Sequence, residues 1–146
     1  MKRCDCSRRD ALITIGLGAL AASLPGCSAK STLSPASATH CTGGYCIDLT
    51  VAANAALRTV GGGVLLDTGS DRIAVVRQSA TRVVALSAVC THEGCLTDLD
   101  ASASTLDCPC HGSSFALTGA VVQGPAFLPL RVYGVTLAGD IVTVMA

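Results

Sequence analysis

After Cys41 the apolar residues gather in short runs broken by turn-forming residues. Asp71 to Gln78 and Thr81 to Cys90 are both rich in Val, Ile and Ala, and Ser79-Ala80 between them fits a hairpin connection. Gly61-Gly62-Gly63 and Thr68-Gly69-Ser70 bracket another strand, Val64 to Asp67. Towards the end, Leu130 to Leu137 and Ile141 to Met145 flank the turn signal Ala138-Gly139-Asp140, which gives a second hairpin. No stretch after Cys41 carries a convincing helical period, and Val51 to Val60 suits a helix or a strand. The pattern predicts an all-β fold of small stacked antiparallel sheets.

The first forty residues follow a different pattern. Ser7-Arg8-Arg9-Asp10 precedes an uncharged stretch, Ala11 to Leu24, and the pair Arg8-Arg9 in that setting resembles a twin-arginine export signal. Leu24-Pro25-Gly26-Cys27 is similar to a bacterial lipobox, which would place a diacylglyceryl thioether on Cys27 after cleavage. Two other outcomes stay open. Ala36-Ser37-Ala38 is a candidate A-x-A cleavage site that would release a soluble protein. Alternatively the segment stays uncleaved as an anchor, because Ala11 to Ala29 is uncharged, although Pro25-Gly26 interrupts it. Ser28 to Thr39 is rich in Ser, Ala, Thr and Pro and reads as a flexible tether. The expected organisation is a signal over 1–26, a tether over 27–40 and a folded body over 41–146.

Two short loops carry the candidate chemistry, Cys90-Thr91-His92-Glu93-Gly94-Cys95 and Cys108-Pro109-Cys110-His111-Gly112-Ser113. Each offers one cysteine and one histidine at ligand spacing, C-x-H and then C-x-x-H. Two thiolates and two imidazoles converging on one point will bind a metal centre. A structural zinc ion suits a Cys₂His₂ set, and so does a two-iron cluster with cysteines on one iron and histidines on the other. Gly94 and Gly112 permit left-handed turns, and Pro109 stiffens the link between Cys108 and Cys110.

C-T-H-x-G-C followed by C-P-C-H-G-S resembles the Rieske iron–sulfur proteins, specifically the disulfide-containing branch found with cytochrome bc-type complexes. That resemblance implies one [2Fe–2S] cluster per chain, with Cys90 and Cys108 on one iron and His92 and His111 on the other. It implies a Cys95–Cys110 disulfide clamping the loops, two cysteines that zinc would leave unexplained. It also implies that the cluster loops project as a subdomain from one end of the sheets. Gly124-Pro125-Ala126 is similar to the proline loop that covers the cluster in this family. Ser113 matches a serine that donates to a bridging sulfide. Two positions depart: Phe115 stands where many quinol-oxidising members have tyrosine, and Glu93 where respiratory members commonly have leucine.

Composition fits these expectations. A chain of 146 residues buries one modest core. With two Phe, two Tyr and no Trp, that core must be aliphatic. Formal net charge is zero, and no basic patch points to nucleic acid. Nine cysteines imply an oxidising compartment, metal, or both. With Cys4 and Cys6 in a removed or cytoplasmic segment, and Cys41 and Cys46 able to close a small loop across Gly43-Gly44, Cys27 is left over for the lipid. The remaining candidates read plainly: His40 exposed, Tyr45 and Tyr133 packing, and Arg72, Arg77, Arg82 and Arg131 on strand faces in water.

The function expected is one-electron transfer with no bond chemistry by the chain alone. Its partner would be a cytochrome or an oxidoreductase subunit, and quinol is a candidate donor. A quinol–cytochrome c oxidoreductase and an arsenite-oxidase-like enzyme are both assemblies that use such a subunit. The catalytic subunit of an aromatic-ring oxygenase is excluded, because its mononuclear iron needs two further histidines and a carboxylate, and this chain has three histidines. The expected location is the periplasmic side of a bacterial membrane, reached through export and a lipid or N-terminal anchor.

Overall fold

The computed structural model describes residues 31–146. The chain runs through β1 (Ser34–Pro35), β2 (Ala38–Cys41) and β3 (Gly44–Asp48), then a 3-10 helix, Ala52–Arg58. It continues through β4 (Gly63–Asp67), β5 (Arg72–Arg77), β6 (Val83–Ser87), β7 (Asp98–Asp100) and β8 (Thr105–Asp107). It ends with β9 (Ser114–Ala116), β10 (Val121–Gln123), β11 (Val132–Ala138) and β12 (Ile141–Met145). Eight strands form one sheet in the order β1-β4-β5-β6-β11-β12-β3-β2, and four form a second in the order β10-β9-β8-β7. The all-β expectation holds, and the short pairing of β1 with β4 is parallel.

The runs in β5 and β6 are continuously apolar because both faces are buried. Ile73, Val75, Val83 and Ala85 join Ile47, Val64, Val142 and Val144 in one core. Strands from opposite ends of the sheet order thus share that core, so the large sheet curls around it. Ala74, Val76, Val84 and Leu86 point the other way, into a second core with Leu99, Leu106 and Phe115 of the small sheet. Cys90 and Cys108 belong to this second core. Both expected hairpins form. The Gln78 and Ser79 amides bond the Arg82 carbonyl in the first, and β11 pairs β12 from Gly134↔Met145 to Ala138↔Ile141 in the second.

Three expectations change. The stretch Val51 to Val60, which suited a helix or a strand, holds the 3-10 helix Ala52–Arg58. The part of the expected tether that falls in the described residues is ordered: β1 and β2 pair with β4 and β3, and Leu33 is buried. Fully buried Asn54 accepts from the Ser37 amide at 2.8 Å and donates to the carbonyls of Ser37 and Asp48, both at 2.8 Å. Edge strands are held by backbone pairing and need few apolar residues, so composition misled there. Finally, Arg77 is buried rather than in water. Its Nε donates to the Leu57 carbonyl at 2.8 Å and its Nη1 to the Ala80 carbonyl at 3.1 Å. A guanidinium is the one long cation able to bond carbonyls of two segments at fixed angles. His40 is exposed against Tyr45, with ring centroids 4.5 Å apart, and Tyr133 is buried, as expected.

Candidate metal centre

The two cysteine–histidine loops share one backbone frame. In the first, the Cys90 amide bonds the Cys95 carbonyl at 2.8 Å and the Gly94 amide bonds the Cys90 carbonyl at 2.9 Å. In the second, the Cys108 amide bonds the Ser113 carbonyl at 2.7 Å and the Gly112 amide bonds the Cys108 carbonyl at 3.0 Å. Closing each loop takes a left-handed residue at the fifth position. Gly94 has φ 76° and Gly112 φ 78°, a region costly for side chains with a Cβ.

Sheet topology brings the loops together. The first leads into β7, and the second joins β8 to β9. Because β7 pairs antiparallel with β8, Asp98 lies opposite Asp107, and both loops emerge at the same end of the small sheet. β10 ends at that same end, since it runs antiparallel to β9. The Gly124-Pro125-Ala126 segment therefore follows directly beside the loops. Its Gly124–Pro125 peptide is cis.

The loops are joined covalently. Cys95 and Cys110 form a disulfide with Cα atoms 6.5 Å apart. Cys41 and Cys46 form a second, across the β2–β3 turn. Among the described residues, Cys90 and Cys108 are the free cysteines, and both are buried. Burial pushes the Cys108 thiol above its ordinary range, and the neighbouring Cys90 thiol adds to the rise. A group that binds there as a thiolate complex must displace protons from a site that otherwise holds them. The histidines sit on the opposite, solvent side, with ring centroids 5.0 Å apart and planes nearly perpendicular at 85°. Glu93 joins them, one carboxylate oxygen lying 3.7 Å from His111 Nδ1.

The third segment is tied to both loops. The Ala126 amide donates to Ser113 Oγ at 3.0 Å, and Ser113 is fully buried. Ser113 accepts in this bond, so its own hydroxyl proton is left free to donate. Thr91 Oγ1 donates to the Leu128 carbonyl at 2.7 Å, and Gln123 Nε2 to the Gly112 carbonyl at 3.1 Å. Phe115 is fully buried in the same core as the two free thiols. Sequence reasoning passed over Thr91, Gln123, Phe127 and Leu128. One signal was available, since Phe127 is one of only two phenylalanines and follows the proline segment. Cys27, Arg8 and Arg9 lie outside the described residues.

The donor set separates by chemistry: soft buried thiols on one side and exposed imidazoles on the other, which fits a two-iron cluster with unlike ends. Comparison with known proteins agrees. The iron–sulfur subunit of the cytochrome b6-f complex of Chlorobaculum tepidum is 38% identical over 87 residues, 59% of this chain and 48% of that one. The corresponding subunit of Synechococcus sp. (strain JA-3-3Ab) is 39% identical over 72 residues, 49% of this chain and 42% of its own length. The chain thus spans about half the length of the curated relatives it matches. Among solved structures, the plasma membrane Rieske protein PetC3 from Synechocystis PCC 6803 superimposes with a TM-score of 0.54 at 32% identity, covering 57% of this chain and 86% of that one. The ferredoxin of carbazole 1,9a-dioxygenase from Nocardioides aromaticivorans IC177 gives 0.52 at 29% identity, covering 59% and 86%. The Rieske [2Fe-2S] domain model matches residues 49–134, more than half of the chain and both loops, so the chain belongs to the Rieske family and carries one [2Fe–2S] cluster.

Proposed function

We propose that the chain is a one-electron carrier in which Cys90 and Cys108 hold one iron and His92 and His111 the other. The observation that carries this reading is the sorting of donors, with buried free thiols inside and exposed histidines outside. Bound there, the cluster supplies a reversible one-electron couple. The residues around it do the rest. The Cys95–Cys110 bond and the Ser113 and Thr91 hydrogen bonds hold three segments in one arrangement, so the site needs little rearrangement when its charge changes. His92 and His111 offer the exposed edge through which an electron enters or leaves. In this reading the chain does no bond-making chemistry by itself, and any enzyme activity belongs to an assembly.

Similarity to cytochrome b6-f iron–sulfur subunits supports a membrane redox complex or a cytochrome as partner. Glu93 and Phe115, which depart from quinol-oxidising members of the family, favour a carrier serving another exported oxidoreductase. Voltammetry of the purified body on an electrode tests the reading. It predicts one reversible one-electron wave, abolished in Cys90→Ser together with the iron. A wave that persists without Cys90 would rule out the ligand assignment.

The export reading extends the proposal to residues 1–26 as a twin-arginine signal, with Cys27 lipidated and the chain held at the periplasmic face. A cluster is assembled in the cytoplasm, so a route that carries folded cargo suits it. No helix among the described residues is long and apolar enough to cross a membrane. Cys27→Ala should yield unprocessed precursor or soluble protein. Normal processing and membrane partitioning in that variant would refute the lipid anchor.

A further inference from the structure

The apolar residues of a water-soluble surface are usually scattered. Here two of the most exposed sit together beside the histidines. Phe127 is 91% exposed and Leu128 66%. They are not a loose end, because the Thr91 hydroxyl holds the Leu128 carbonyl and Ser113 holds the Ala126 amide just before Phe127. A rigid, outward-facing aromatic costs little entropy to bury against a partner, and such residues concentrate binding energy.

The charge around them has one sign. Residues 83–130, which build the loops, the small sheet and the proline segment, contain Glu93, Asp98, Asp100 and Asp107 and no Lys or Arg. Glu93 is exposed and lies against His111, which is exposed as well. Arg72 lines the groove that reaches Cys90 and Thr91, but it pairs with Asp67 at 3.8 Å. Arg131 pairs with Asp71 at 3.8 Å. Of the other described arginines, Arg58 and Arg77 bond backbone carbonyls, and Arg82 lies in the β5–β6 hairpin, at the end of β6 away from the loops. A second copy of this face or an anionic lipid surface would be repelled.

We propose that the histidine end of the molecule is a docking face for a protein whose redox centre is ringed by lysine or arginine, with Phe127 and Leu128 as the apolar centre and Glu93 as the leading charge. The inference rests on the electron-carrier reading above and adds the chemistry of the partner. Opposite charge steers the encounter and sets its salt dependence, while the apolar pair sets how long the complex lasts.

The test uses a basic c-type cytochrome as probe and the same cytochrome with its lysines succinylated as its charge-reversed counterpart. Calorimetry follows binding with both proteins oxidised, so no electron moves. Affinity for the basic probe should fall about tenfold between about 20 and about 200 mM salt, and the succinylated probe should not bind. Glu93→Lys should weaken binding about fivefold to tenfold. Asp140→Lys, the same charge change on the exposed β11–β12 turn, should change it by less than about twofold. Phe127→Ser should weaken binding about tenfold and leave the salt slope as it is. Equal effects at Glu93 and Asp140, binding indifferent to salt, binding of the succinylated probe, or no binding in a cluster-loaded protein would each overturn the docking proposal alone. A protein that carries no iron would overturn the carrier reading with it.

Discussion

Ser113 is bonded on one side of its hydroxyl and open on the other. Its oxygen accepts the Ala126 amide, and its proton is free to point at a cluster sulfur, as the family resemblance implies. A donor to that sulfur draws off negative charge, which favours the added electron and raises the potential. A hydrogen bond strengthened by roughly 1–2 kcal/mol on reduction corresponds to roughly 40–90 mV for one electron. Ser113→Ala should therefore lower the midpoint potential by that order, read by voltammetry on protein of verified iron content. An unchanged potential would show that the carry-over of this role is wrong here. Phe115 has no proton to give, so Ser113 is the side-chain donor in this pair. The motif singled out Ser113 in the sequence, but its bond to Ala126 was not legible there, since thirteen positions separate the partners.

The two loops stand as a pair of like frames stapled once. The Cys95–Cys110 bond closes a span of 15 residues, for which loop entropy gives a stabilisation of about 3 kcal/mol. Changing both cysteines to serine should lower the stability of the cluster-free protein by about 2–4 kcal/mol in denaturant unfolding. The loss should shrink in the loaded protein, where the cluster ties the same loops. Equal stability with and without the bond in cluster-free protein would contradict this account. These loops were readable because their ligand spacing is local: C-x-H and C-x-x-H lie within a few residues. The first edge strands were not readable. β1 and β2 are held by backbone pairing and by Asn54, and a Ser- and Thr-rich stretch carries no apolar signature of either. Arg77 misled for the related reason that one of its partners, the Leu57 carbonyl, lies on a distant segment.

Across the whole molecule, two cores lie on opposite faces of β5 and β6 in the curled sheet, the small sheet closes the second, and the metal centre sits at one end of that second core. Strand content and fold class followed from the apolar runs, while the curl did not, because it depends on which distant strands meet. Everything functional rests on the claim that two thiolates and two imidazoles bind one cluster. Electron–nuclear double resonance on the reduced protein, grown with ¹⁵N-labelled histidine, measures this directly. The account predicts coupling from two histidine nitrogens, one of them lost in His111→Cys if the cluster survives. A paramagnetic cluster with no histidine coupling, or stoichiometric zinc with no iron after anaerobic expression, would contradict it.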